Sequence, residues 1–128
     1  MASMHPLLRN MRANALNTFI GPYAFLRLFS SGYADLLVEL LCDTTAFAAE
    51  AVDGVLTANP IADAVGLVAG NAALARIILS DGETIALGGL LVTGAAGAGP
   101  IRLSKTSTAI SIGQVVSVAS FVIIEGNL

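Results

Sequence analysis

The stretch TSTAISIGQVVSVASFVII, residues 106–124, decides how this chain is read. It carries no charged residue and is nearly as long as the roughly 20 apolar residues of a spanning helix. Yet Thr106, Thr108, Ser111, Gln114, Ser117 and Ser120 interrupt it, and Val116, Val118, Ser120, Val122 and Ile124 recur at period two. Alternation of this kind belongs to a half-buried strand rather than to a helix in lipid. Gly113-Gln114 then reads as a turn between two strands, Ser107–Ile112 and Val115–Glu125.

The rest of the chain has the same character. Hydrophobic residues make up 55% of the 128 and charged residues 12%, about half the usual charged share of a soluble domain. The length suits one domain with a usable core. A net charge of −3 argues against a nucleic-acid partner, which calls for a basic patch. So few charges on so apolar a chain point to surfaces covered by neighbours. The start of the chain is free of acids up to Asp35 and contains Arg9, Arg12 and Arg27, as a transit peptide would. Asn14, Asn17, Gly21 and Pro22 break the apolar stretch Ala13–Leu26, so it is read as part of the fold.

Pro6 suits the first turn of a helix, with Leu7, Met11, Ala15 and Phe19 on one face and Leu8 and Leu16 alongside. Gly21-Pro22 ends it. This helix is expected to pack on a sheet; a partner-docking arm is the alternative. Tyr23–Phe29 is the first strand candidate, with Phe25 and Leu28 apolar and Arg27 facing outward, followed by a Ser31-Gly32 turn. In Asp35–Cys42, the residues Leu36, Val38, Leu40 and Cys42 share one face and Glu39 sits on the other between Leu37 and Leu41. Two apolar faces predict a sandwiched or interfacial strand. Thr44–Asp53 reads as loop or short helix, Asp53-Gly54 as a turn, Gly54–Asn59 as a brief strand and Ile61–Gly70 as loop or strand.

Ala72–Leu79 and Glu83–Leu87 flank Ser80-Asp81-Gly82 and predict a hairpin, because Asp-Gly tolerates the positive φ of tight turns. The second arm continues to Val92, with a bulge expected at Gly88-Gly89. Gly94–Pro100 is a small-residue loop, and Ile101 and Leu103 alternate with Arg102 and Ser104. The fold expected is mainly β: a single antiparallel β-sandwich or small barrel with a short N-terminal helix. Residues 1–22 form the N-terminal arm or helix and residues 23–128 a single β-rich domain.

No motif points to catalysis, so no catalytic, cofactor-binding or metal-ligating residue is assigned and no cofactor is expected. His5 is the sole histidine and cannot build a His-rich site. Cys42 is the sole cysteine, which excludes an internal disulfide; on an apolar strand face it reads as an inert small hydrophobe. Gly94–Pro100 fails as a phosphate loop, since no Lys-Ser/Thr pair follows and Pro100 removes a donor. The carboxylates are scattered. Asp81 and Glu83 fit a hairpin tip, and Asp35 with Glu39 lacks a second catalytic partner.

One resemblance spans most of the chain. Leu8-Arg9-Asn10, Leu26–Gly32, Leu36–Leu41, the segment from Gly54 to Ile61 (GVLTANPI), Ala75–Thr84 and Val115–Asn127 occur in an order that resembles small tailed-bacteriophage virion structural proteins. Two departures stand out. The connection from Gly32 to Asp35 is shorter than the family's polar loop, and the middle segments are more apolar and Ala-rich. The resemblance implies a non-enzymatic component of the virion, assembled in the host bacterial cytoplasm. A capsid decoration or cement protein that binds the major capsid protein and stabilises the head is the leading expectation. A homo-oligomer is implied, with a trimer suiting local symmetry axes; neither nucleic acid nor membrane is an expected partner. A tail or neck (head–tail connector) component is the alternative within the class, and a cellular β-sandwich binding module the alternative outside it. The strands around Leu36–Cys42 and Val115–Ile124 are candidates for subunit burial, or equally for the monomer's own core.

Overall fold

The computed structural model describes residues 11, 14–16, 18–42, 55–59, 61–97 and 99–124. The readings placed on residues 1–10, Arg12, Thr44–Asp53, the Asp53-Gly54 turn and residues 125–128 lie outside these. The chain is mainly β, a curled half-barrel sheet with one short helix near the N-terminus. Its strands are β1 Phe25–Phe29, β2 Leu36–Leu41, β3 Val55–Thr57, β4 Ala64–Val65, β5 Gly70–Asn71, β6 Leu74–Ile78, β7 Ile85–Thr93, β8 Ile101–Leu103, β9 Ala109–Ile110, β10 Val115–Val116 and β11 Val118–Ile124. Seven of them form one sheet in the order β2-β1-β6-β7-β8-β11-β3, and β10-β4 and β5-β9 form two small ones.

The core follows from alternation along the central strands. Leu26 and Leu28 of β1 stand opposite Leu40 and Val38 of β2 on one side and Ile77 and Ala75 of β6 on the other. All six are fully buried. Ile101 and Leu103 of β8 and Phe121 of β11 extend this layer. Burying one such aliphatic side chain contributes about 1.5–3 kcal/mol, so the inner face of the sheet is the chain's main source of stability.

The free edge of β2 is bridged. The Ala62 N–H donates to Leu41 O at 3.2 Å and the Leu67 N–H to Leu37 O at 2.7 Å. β4 in turn pairs with β10, which runs directly into β11. The curled sheet is therefore tied from its first edge back towards its last strands.

Three local readings shift. The helical residues 14–16 and 18–20 turn a different face inward: Ile20 is buried and Leu16 packs against the core, while Met11, Ala15 and Phe19 are exposed. Both stripes are apolar, so periodicity alone does not choose between them. The turn that follows chooses, because Gly21 and Tyr23 adopt φ of 67° and 59° and swing the chain directly into β1.

In β2 the register jumps from Leu28↔Val38 to Phe29↔Leu36. Leu37 occupies the resulting bulge and is fully buried, while Leu36 moves to the outer face beside Phe29. In β11 the register slips between Val118 and Ser120. The buried phase consequently passes from Val116 to Phe121 rather than continuing through Ser120 and Val122.

The turn readings fare better. Gly113 has φ 79°, as its turn requires. The β6–β7 hairpin forms, its ends closed by the Leu79 N–H donating to Thr84 O. The bulge at Gly88-Gly89 is present, since Ala75 pairs Leu90 but Ile77 pairs Leu87, and Gly89 takes φ 70°.

Among the described residues, all strand pairs but one are antiparallel. The exception is β7 with β8, where Val92 stands beside Ile101 and Thr93 beside Arg102. A parallel neighbour ordinarily needs a long crossover. Here only the end of β7 meets the start of β8, so the short 94–100 loop suffices. It is pinned by the Gly99 N–H donating to Thr93 Oγ1 at 3.4 Å.

Candidate interaction surface

The outer face of β2, β1, β6 and β7 carries three rows of side chains, because directly opposed residues of antiparallel strands share a face. One row is apolar: Leu36, Phe29, Leu74 and Leu91. Another is apolar too: Leu41, Phe25, Ile78 and Ile85. Between them runs a polar row, Glu39, Arg27 and Arg76, which ends against the Gly88-Gly89 bulge. Leu41, Ile85 and Leu91 are exposed at 43%, 49% and 57% while Ile78 is buried, so this face is apolar around a charged centre and open at its margins.

Arg27 is committed. Its Nε lies 2.6 Å from Glu39 Oε2 and its Nη2 donates to Gly82 O at 3.2 Å. Arg76 is held differently. Its guanidinium carbon sits 3.8 Å from the centroid of the Tyr33 ring and 5.2 Å from that of Phe29. These rings meet edge-on at 5.3 Å and 71°. Such cation–π contacts are worth about 0.5–2 kcal/mol depending on solvation. Tyr33 is fixed in turn: its hydroxyl accepts the Gly89 N–H at 2.6 Å, and its backbone sits at φ 58°, a left-handed conformation that costs a non-glycine residue roughly 1–2 kcal/mol.

A second apolar surface lies on the small β4–β10 sheet beside the curled one. Val65 of β4 and Val115 of β10 stand opposite each other. Gly66 donates to Gln114 O and Gly113 to Gly66 O, each at 2.8 Å, which draws the 65–68 and 112–115 segments together. Val65, Leu67, Val68, Ile112 and Val115 are 40–73% exposed. A cleft of about 170 Å³ beside them is lined by Leu103, Lys105, Val115 and Val116. That is small against the roughly 300–1,000 Å³ of small-molecule sites.

The titratable groups weighed in the sequence take structural places. Cys42 is 4% exposed, and burial pushes its thiol up to about 11. Asp81 accepts from the Glu83 and Thr84 N–H groups at 2.8 Å and from Thr84 Oγ1 at 2.5 Å; these bonds hold its carboxyl below the usual range. Glu39 is paired to Arg27, which takes it out of any partnership with Asp35. His5 lies outside the described residues. Among the described residues no three His, Cys, Asp or Glu stand close enough to hold a metal ion, and no helix is long and apolar enough to cross a membrane.

The Arg76–Tyr33–Phe29 cluster was not anticipated from the sequence. Its signal was there in part: Arg76 is the one charge in the strand LARII, and Tyr33 follows the Ser31-Gly32 turn. What joins them is the pairing of β1 with β6, which no local pattern announces. Comparison with known proteins returns nothing to set beside this arrangement: no family model, no curated protein and no solved structure matches the chain.

Proposed function

We propose that the protein is a non-enzymatic virion structural protein of a tailed bacteriophage, a capsid decoration or cement protein that binds the major capsid protein and its own copies. The observation that carries this reading is the surplus of apolar surface. The core absorbs Leu26, Leu28, Leu37, Leu40, Ile77, Ile101 and Leu103, yet Val65, Leu67, Val68, Ile112 and Val115 remain exposed along two segments joined by hydrogen bonds. A contiguous patch of this kind on a small domain favours a protein interface. The ordered resemblance of its segments to small virion proteins supports the same reading. A protein that binds only the assembled shell stabilises it by mass action, by about 2.7 kcal/mol per site at a hundredfold excess over Kd.

The test is co-sedimentation with undecorated phage heads, followed by imaging of the particles. Density repeated over the icosahedral shell, and heads that survive higher temperature, are expected. Density at one vertex or along the tail would assign the protein to the neck or tail instead. A monomer with no affinity for heads or tails would sink the proposal.

A further inference from the structure

We propose that Arg76, clamped by Phe29 and Tyr33, is the anchor through which the outer face of β1, β2, β6 and β7 grips a carboxylate side chain of a neighbouring protein. Among the described residues, charge on this face is unbalanced. Two guanidinium groups, Arg27 and Arg76, stand directly opposite each other on β1 and β6, and one carboxylate, Glu39, answers them through Arg27. Among the described residues, no carboxylate or carbonyl accepts from the Arg76 guanidinium. Its rings hold it without using its N–H donors, because a cation–π contact draws on the charge of the group and not on a hydrogen bond. The planar guanidinium fork matches a carboxylate through two parallel hydrogen bonds.

The surroundings suit a polypeptide rather than a free ion. Apolar rows flank the cation on both sides, with Leu91 57% and Ile85 49% exposed at its β7 end. An Arg with Tyr and Phe at the centre of an apolar rim has the composition of an interface hot spot. Two separate irregularities converge on it. The 3-10 turn Ser31–Tyr33 places Tyr33 at φ 58°, and the β7 bulge turns the Gly89 N–H to the Tyr33 hydroxyl. Strain of this kind persists where the surrounding structure holds it, and it concentrates at ligand clamps. A Cβ on Gly89 would meet nothing within 4 Å, so no side chain crowds the bulge at that point. The partner segment is thus one acidic residue flanked by aliphatic ones.

This inference deepens the assembly reading and rests on it for the kind of partner, but its test needs no phage particle. The full-length protein, labelled with ¹⁵N, is titrated with the blocked tripeptide acetyl-Leu-Asp-Val-amide while the arginine Nε–H resonances are followed. A saturable shift of Arg76 is expected, at least tenfold weaker with the Asn counterpart, with Arg102 unmoved. Tyr33→Leu should weaken binding about tenfold by removing the clamp, and the wild-type comparison of Asp with Asn peptide stands even if that variant misfolds. Equal responses to the two peptides, or none, overturn the proposal. So does a stronger response to inorganic phosphate than to the Asp peptide, which would point to a nucleic-acid backbone. A silent titration beside successful head binding would remove this face and leave the assembly reading intact.

Discussion

At Cys42, burial and ionisation oppose each other, and the consequence is an alkaline weakness. The folded thiol ionises at about 11 against 9.0 for a free one, so between these values the unfolded chain has lost a proton that the native chain keeps. Stability is therefore full below pH 9 and falls as pH rises towards 11, by roughly 2–3 kcal/mol in all. Urea unfolding at pH 8 and pH 10.5 should show this slope in the wild type and a shallower one in Cys42→Val. Asp81 works in the opposite sense. Its carboxyl is held low, so its contribution is present above the ordinary carboxylate range and is lost as pH falls through the depressed value. Protection of the Glu83 and Thr84 amides, measured against the intrinsic exchange rate at each pH, should fall on acidification in the wild type and be low at every pH in Asp81→Ala. Asp81 and Gly82 were legible in the sequence because turn chemistry is local. The burial of Cys42 was legible from the apolar pattern of its strand. The role of Arg76 was not, because its rings arrive from β1 and from the turn after it.

Strands and turns show where local pattern stops being sufficient. The Gly88-Gly89 bulge could be read from two glycines in an otherwise apolar arm. The bulges at Leu37 and near Ala119 could not, since no glycine marks them and they arise from fitting one strand to its partners. The β7–β8 pair depends on the close quarters of the 94–100 loop. A Cβ on Gly94 would lie 2.0 Å from the Thr106 backbone oxygen, and one on Gly97 would lie 2.4 Å from the Thr93 Cβ. Backbone cannot yield as a side chain tip can, so Gly94→Ala should cost about 3 kcal/mol, at the upper end of overpacking effects. A loss under about 1 kcal/mol in thermal unfolding would show that this loop has room that the geometry denies. Leu28→Ala, at a fully buried position, should cost about 2–5 kcal/mol and serves as the reference for a core defect.

At the scale of the molecule, surface and core should separate experimentally. Val65→Thr, Ile112→Thr and Val115→Thr together change exposed positions, where substitutions usually stay within about 0.5 kcal/mol each. The triple variant should keep its melting temperature close to wild type while sedimenting as a smaller species and losing affinity for heads. A coincident collapse of both would mean that the patch belongs to the fold. The mainly β class and single helix could be read from composition and alternation, whereas the strand order could not. That order has a temporal consequence. Two junctions of the sheet join segments far apart along the chain: Leu28 of β1 has to find Ala75 of β6, and Ile124 of β11 has to find Val55 of β3. The β6–β7 hairpin can form within microseconds, but the outer strands wait for slow loop closure, which sets folding of such topologies in the range of milliseconds to seconds. During synthesis the sheet cannot be completed until residue 124 has left the ribosome. Each nascent copy therefore passes through a stage with strand edges unpaired, when crowding among copies favours aggregation over folding.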